Sequence, residues 1–75
     1  MTWNHRLVAI KDGDEWFFAV QEVYYNSSGE PTGYGDPFLH DETIDGVQKI
    51  LDRMQEAMKR PVLNSELDFD NKPDV

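Results

Sequence analysis

Glu22 is the residue whose surroundings in this sequence most favour chemistry. It belongs to Glu15–Tyr25, a run rich in aromatic and β-branched side chains that predicts a strand. The expected hairpin register places Glu22 beside Trp3 on an apolar face, where burial would raise the pKa of a carboxyl and suit it to acid–base catalysis. Alternatively, Glu22 lies at the sheet margin and pairs with Arg6 or caps a turn. The sequence places no nucleophile, second carboxylate or metal ligand beside it, which favours the structural role.

The other residue types that bind metals or phosphates lack the spacing those sites need. His5 and His40 are the only imidazoles and match no metal-binding motif, so we interpret both as hydrogen-bonded or exposed. The acidic run 12–15 lacks the remaining ligands of a calcium loop and predicts a hairpin turn. Gly33 and Gly35 are not followed by the helix and lysine of a phosphate loop. We therefore expect no catalytic, cofactor-binding or metal-binding residues, no cofactor, and a protein that is not an enzyme.

Acidic residues dominate the charge of the chain. Fifteen acids against seven bases give a net charge of −8 over 75 residues. This balance predicts no direct nucleic-acid binding and no membrane binding, because anionic surfaces attract Lys and Arg. No apolar run approaches the roughly 20 residues that span a bilayer, and the N-terminal residues lack the apolar core of a secretory signal. Since cysteine is absent, the chain suits a reducing compartment, and we expect a cytoplasmic protein.

The central strand has turn signals on both sides, which is typical of an antiparallel meander. Residues Trp3–Lys11 predict the preceding strand, and a type I′ turn at Asp12-Gly13 would place Lys11 opposite Asp14. A loop one residue longer would turn the other side of the first strand toward the same face. Because side chains alternate along strands, the expected register collects apolar residues on one face. The members of this predicted face are Trp3, Leu7, Ala9, Trp16, Phe18, Val20 and Tyr24.

The following residues predict an edge strand and then a helix. Residues 30–40 are extended but interrupted by two prolines and two glycines, which is typical of a short edge strand followed by a loop. Thr43 is the expected N-cap of the helix, and Pro61 ends it. Helical spacing predicts an apolar stripe that faces the sheet. Its members are Ile44, Val47, Leu51, Met54 and Met58.

Together these elements predict an α+β fold. A three-stranded antiparallel β-meander is followed by one C-terminal α-helix packed on the sheet, in the order βββα. Residues 1–63 form the single domain. Residues 64–75 are polar and acidic without periodicity, and they predict a disordered acidic tail.

Several motifs in this order resemble a family of small uncharacterised bacterial proteins. The shared features are WNHRLV near the start, EVYY in the central strand, a Gly-x-Pro turn, and a helix followed by PVL. The resemblance spans residues 2–63 and supports the strand–strand–strand–helix order. The chain departs from the family pattern at His5, Asn26 and Gly46. No activity is known for this family, so the resemblance implies none.

The second face of the central strand is also apolar, although one helix covers only one side of a small sheet. An uncovered apolar surface of this kind predicts a partner. We expect a non-catalytic protein–protein interaction module that forms a homodimer or docks on a larger bacterial or phage component. The alternative is an acidic nucleic-acid mimic, encoded by a phage, that acts as an inhibitor; an enzyme that uses Glu22 is a third hypothesis. The candidate interaction surface comprises Phe17, Val23, Tyr25 and Tyr34.

Overall fold

A computed structural model describes residues 2–70 and shows a four-stranded mixed sheet with one helix. The predicted α+β class is confirmed, whereas the fourth strand and its parallel pairing are not part of the prediction. The strand order in the sheet is β3-β2-β1-β4, with β1, β2 and β3 antiparallel and β4 parallel to β1. The elements are β1 (Thr2–Asp12), β2 (Glu15–Tyr25), β3 (Pro31–Gly35), α1 (Ile44–Ala57) and β4 (Leu63–Asn64).

The turn between β1 and β2 shifts the hairpin register by two residues from the predicted one. Asp12 pairs with Glu15, so the two turn positions are Gly13 and Asp14. The predicted type I′ turn would require a positive φ at both Asp12 and Gly13, whereas a turn that begins with Gly13 requires a positive φ only at the glycine. In the observed turn only Gly13 has a positive φ, of 62°. Because a shift of two preserves the alternation, the predicted apolar face keeps all its members.

Thr43 caps α1 as predicted, and the contacts of this cap account for the glycine at position 46. The Thr43 hydroxyl accepts a hydrogen bond from the Gly46 backbone N–H at 2.9 Å. The Asp41 carboxylate in turn accepts from the backbone N–H and the hydroxyl of Thr43, each at 3.0 Å, which lowers the Asp41 pKa. A Cβ at position 46 would overlap this carboxylate. The glycine therefore leaves space for the capping network at some cost in helix propensity.

The side of α1 that faces the sheet differs from the predicted stripe. Ala57 is fully buried, whereas Leu51 is 42% exposed and Ile44 is 91% exposed. The apolar arc of this helix is wide because Ile50 and Leu51 are both apolar, so periodicity alone does not fix which edge of the arc faces inward. The small Ala57 side chain lets the helix approach the sheet closely. The inward residues are Val47, Ile50, Met54 and Ala57.

Residues 64–70, part of the predicted disordered tail, include the second residue of β4 and a turn. Asn64 belongs to β4, and the Ser65 backbone N–H donates to the Ala9 carbonyl at 2.9 Å. The Asn64 side chain accepts from the backbone N–H groups of Glu66 and Leu67 at 2.9 and 3.1 Å. This local turn uses the polar residues that composition alone assigns to disorder. Residues 71–75, the rest of the predicted tail, lie outside the described residues.

The sheet is covered on both faces, but only along part of its length. Residues of α1 lie over the helix-side face, which carries Trp3, His5 and Glu22. Residues 61–70 reach the other face, where Phe69 packs edge-on against Tyr34 at 4.8 Å between ring centroids. The two fully buried strand residues, Val8 and Val23, lie on this second face. Every residue from 11 to 18 is exposed, and we call this end of the β1–β2 hairpin the hairpin arm.

Candidate functional site

The candidate interaction surface predicted from the sequence is mostly covered by the chain itself. Val23 is fully buried, which removes it from any accessible surface. The Tyr25 hydroxyl donates to the Asn4 side-chain oxygen at 2.7 Å, and Tyr34 packs against Phe69. Of the four predicted residues, only Phe17 is largely exposed, at 46%, while Tyr25 and Tyr34 are half-buried. The exposed apolar surface therefore lies on the hairpin arm and not in the middle of the sheet.

Three consecutive aromatic residues give the hairpin arm an apolar surface on both faces. Trp16 and Phe18 lie on the helix-side face and Phe17 on the other, because successive side chains alternate along a strand. Phe18 is 68% exposed, and Trp16 and Phe17 are each nearly half exposed. Among residues 2–70, neither α1 nor residues 61–70 cover these three aromatic side chains, although Ser65 and Glu66 contact Lys11 at the edge of the arm. Three large aromatic side chains that are exposed side by side make the hairpin arm a candidate interaction surface.

The backbone edge of the arm is open on the β2 side. β3 pairs with β2 only from Glu22 to Tyr25, so among residues 2–70 no strand lies beside residues 15–20 on that edge. On the β1 side, the Lys11 backbone N–H donates to the Ser65 hydroxyl at 3.3 Å, and Lys11 also pairs with Glu66 at 3.9 Å. An open strand edge beside exposed aromatic side chains offers both backbone hydrogen bonds and apolar contacts to a partner.

The charges around the aromatic residues of the arm are mainly acidic. Asp12, Asp14 and Glu15 surround the turn, and all three are exposed. Lys11 is the one base of the arm, and its ammonium lies beside Glu66. The tip of the arm therefore presents aromatic rings within a negative field.

A second candidate site lies between the sheet and α1, in a cleft centred on His5. His5 and Glu22 are directly paired across β1 and β2. The cleft has two lobes, of about 430 Å³ and about 290 Å³, and both are lined by Trp3, His5 and Arg53. The larger lobe adds Asn4, Glu56 and Arg60, and the smaller adds Glu22, Tyr24, Phe38 and Ile50.

Glu22 is buried in this cleft, and both of its oxygens accept hydrogen bonds. The Tyr24 hydroxyl donates to Oε1 at 2.9 Å, and the Phe38 backbone N–H donates to Oε2 at 3.4 Å. The hydrogen bond to Glu22 raises the pKa of Tyr24, with a smaller contribution from burial. Arg6, the predicted partner of Glu22, instead donates to the Pro61 carbonyl at 2.7 Å. Glu22 thus joins β2 to the loop before the helix.

His5 is buried and has no hydrogen-bond partner at either ring nitrogen within the described chain. This finding corrects the expectation of a hydrogen-bonded or exposed histidine. Burial lowers the pKa of His5; the Glu22 charge opposes this effect and the Arg53 charge adds to it. Each ring nitrogen of His5 can donate or accept one hydrogen bond, depending on where the proton lies, and both nitrogens are buried from solvent beside the cleft. No local pattern predicts this arrangement, because Arg53 is 48 positions from His5 and lines the same cleft only through the packing of α1.

The assembled groups do not form a recognisable catalytic or metal centre. Across residues 2–70, no group of three or more metal-ligating side chains is close enough to hold an ion. His5 and Glu22 are neighbours, but the cleft presents no serine, threonine, cysteine or lysine nucleophile. The side chains that line the cleft include hydrogen-bonding groups and charges of both signs.

Comparison with protein-family models, curated proteins and solved structures finds no match for this chain. The resemblance to a small bacterial family accordingly stays a prediction. Within the described part of the chain, no helix has the length and apolar character required to cross a membrane.

Proposed function

We propose that this protein is a non-catalytic interaction module that binds a protein partner through the hairpin arm. The observation that carries the proposal is the exposure of Trp16, Phe17 and Phe18 beside an unpaired strand edge. Such an edge accepts an extended segment by backbone pairing, while the aromatic side chains fill apolar pockets on the partner. The cysteine-free composition suits an interaction in the cytoplasm.

Charge complementarity favours a partner whose apolar cleft is bordered by Lys and Arg. The aromatic residues of the arm lie next to Asp12, Asp14 and Glu15, so a basic border would be attracted during approach. Pairing two arms of this chain would instead bring these carboxylates together, on molecules that each carry a net charge of −8. A basic protein, of bacterial or phage origin, is therefore favoured over a second copy. Binding that depends mainly on the aromatic rings distinguishes this proposal from a nucleic-acid mimic, whose affinity would fall steeply with salt.

Site-specific photo-crosslinking in intact cells that produce the chain tests the proposal. A benzophenone amino acid replaces Phe18 in one version and Leu51, an exposed apolar residue on α1, in a matched control. The position-18 version should form one discrete adduct with a protein that carries a Lys- and Arg-rich surface, and the position-51 version should not. Phe17→Ser in the position-18 version should abolish the adduct, whereas raising the salt to about 0.5 M in lysate should weaken it only partly.

Three outcomes would overturn the proposal. Adducts of equal yield from positions 18 and 51 would show that capture is unspecific. An adduct with the mass of two chains would establish a homodimer as the occupant of the arm. Loss of the adduct at high salt, combined with no effect of Phe17→Ser, would support the nucleic-acid mimic.

A further inference from the structure

The cleft beside His5 contains hydrogen-bond donors that the described chain leaves unused. His5 is only 5% exposed, and neither of its ring nitrogens has a partner. Arg53 and Arg60 line the same cleft, and among residues 2–70 neither forms an ion pair. A buried polar group without a partner destabilises the folded state, so a group that formed a hydrogen bond with His5 would stabilise it.

The carboxylates of the cleft, in contrast, are already engaged. Glu22 accepts from the Tyr24 hydroxyl and the Phe38 backbone N–H. Glu56 pairs with Lys59 at 3.1 Å. The groups that remain available are therefore mainly donors and positive charges, which select a ligand that carries an acceptor and a negative charge.

We infer that this cleft binds a small molecule that combines an aromatic ring with a carboxylate. The ring would lie against Trp3 and Phe38, with Ile50 beneath it. The carboxylate would lie toward Arg53, because a guanidinium matches the two oxygens of a carboxylate in geometry and charge. The His5 ring nitrogens are buried in the unliganded chain, so His5 would supply or accept one further hydrogen bond only after its side chain turned toward the ligand. This site is independent of the hairpin arm.

The size of the cleft and its position fit such a ligand. Its lobes of about 430 and 290 Å³ share three lining residues, and binding sites for small molecules commonly occupy roughly 300–1,000 Å³. Physiological salt screens exposed charges beyond about 8 Å, so distant acidic residues contribute little to the field in the cleft. Arg53 and Arg60 share the cleft with the carboxylates of Glu22 and Glu56, so a ligand carboxylate would have to lie on the arginine side.

Titration of the full chain with phenylacetate, followed by NMR, tests this inference. The chain carries Trp16→Phe, so that the Trp3 indole N–H gives the only tryptophan signal. Phenylacetate should shift this signal saturably, with a Kd of about 1 mM or tighter. Phenylacetamide has nearly the same shape without the charge, and it should bind at least about tenfold more weakly because a charge-assisted hydrogen bond is lost.

Two charge-removing substitutions on α1 form a matched pair for this titration. Arg53→Gln should weaken phenylacetate binding by about tenfold. Lys49→Gln removes the same charge from the same helix at an exposed site that pairs only with Asp45, and binding should be unchanged. If the spectrum of the Arg53 variant shows loss of folding, Arg60→Gln at the exposed end of the cleft takes its place, with a smaller weakening expected.

The inference fails if the Trp3 signal does not shift saturably with phenylacetate up to about 20 mM, a range that includes weak binding. Equal affinities for phenylacetate and phenylacetamide would also contradict it, since the carboxylate would then have no role. Equal weakening by Lys49→Gln and Arg53→Gln would show that net charge, and not this cleft, attracts the anion.

Discussion

The two ends of the β1–β2 hairpin differ in what covers them. At the end formed by residues 2–8 and 19–25, α1 lies over one face and residues 61–70 reach the other. Val8 and Val23 there have no exposed surface, although Trp3 is 49% exposed. At the turn end, the same two strands continue as the hairpin arm, whose residues 11–18 are all exposed. Aromatic content does not explain the difference, since both ends are rich in large apolar side chains.

The role of an apolar strand residue depends on whether another segment of the chain covers it. β3 has five residues and β4 has two, so neither extends along the arm. A chain of 75 residues has little additional structure with which to cover a second region. The covered end is therefore expected to provide most of the stability of the fold, and the arm to contribute little to it.

The largest contrast should appear between Val23→Ala and Phe18→Ala. Val23 is fully buried, so loss of its methyl groups should lower the free energy of unfolding by about 2–3 kcal/mol. Phe18 is 68% exposed, and its larger truncation should change this free energy by less than about 0.5 kcal/mol. Urea denaturation of both variants measures the difference. An equal loss from Phe18→Ala would mean that the arm is part of the core.

The cover supplied by the C-terminal segment is tested by Phe69→Ala. The Phe69 ring is half-buried and packs edge-on against Tyr34, so its removal should lower the free energy of unfolding by about 1–2 kcal/mol. Leu67→Ala is a control in the same segment, because Leu67 is 78% exposed and should contribute little. Similar urea midpoints for the wild type and Phe69→Ala would show that this segment does not stabilise the sheet.

The orientation of α1 over the sheet is tested by a pair of neighbouring truncations. Ile50 lines the cleft on the inward side, and Ile50→Ala should cost about 1–2 kcal/mol, less than for full burial because this residue is half-buried. Leu51→Ala should cost less than about 0.5 kcal/mol. Thermal unfolding of the two variants compares them directly. A larger loss of stability in Leu51→Ala than in Ile50→Ala would show that α1 faces the sheet with the stripe predicted from periodicity.

The pH dependence of stability should report the burial of His5. Because the folded-state pKa of His5 lies below its ordinary value of 6.5, the unfolded chain binds a proton more readily. The stabilisation is therefore fully present above about pH 6.5 and is lost as the pH falls through the folded-state pKa. Of the charges that face the imidazole, Glu22 on β2 opposes the shift and Arg53 on α1 supports it.

Comparison of melting temperatures at pH 7.5 and pH 5.5 (values chosen on either side of the ordinary pKa of roughly 6.5) checks this expectation. The wild type should lose stability at the lower pH, and His5→Gln should lose less. His40→Gln, at an exposed histidine, should behave as the wild type. An identical pH response in His5→Gln would show that His5 does not titrate differently on folding.

Local sequence signals predicted the elements of this fold more successfully than their contacts. The run Glu15–Tyr25 forms one strand with the predicted bounds, and Thr43 caps the helix as expected. In these cases the determining interactions lie within a few residues. The hairpin register was wrong by two because Asp12-Gly13 and Gly13-Asp14 both resemble turns, and only the φ angle that each residue must adopt separates them.

The contacts that the sequence did not predict join distant parts of the chain. β4 has two residues and pairs Leu63 with Val8 in parallel, a contact without any local pattern. The His5 cleft arises only when α1 is placed with Ile50 inward, so the wrong helix face also concealed the site. Predicting Val23 as an exposed surface failed for the same reason, because its cover comes from a segment whose composition indicates disorder.

Native-state hydrogen exchange tests the division of the hairpin most directly, since it measures the stability of each backbone amide separately. At the covered end, hydrogen-bonded amides of residues 5–8 and 20–24 should exchange only through global unfolding. Amides of residues 11–18 should exchange through local opening, at free energies well below the global value. Protection of the arm equal to that of Val8 and Val23 would contradict this division of the hairpin, because the arm would then be as stable as the covered end.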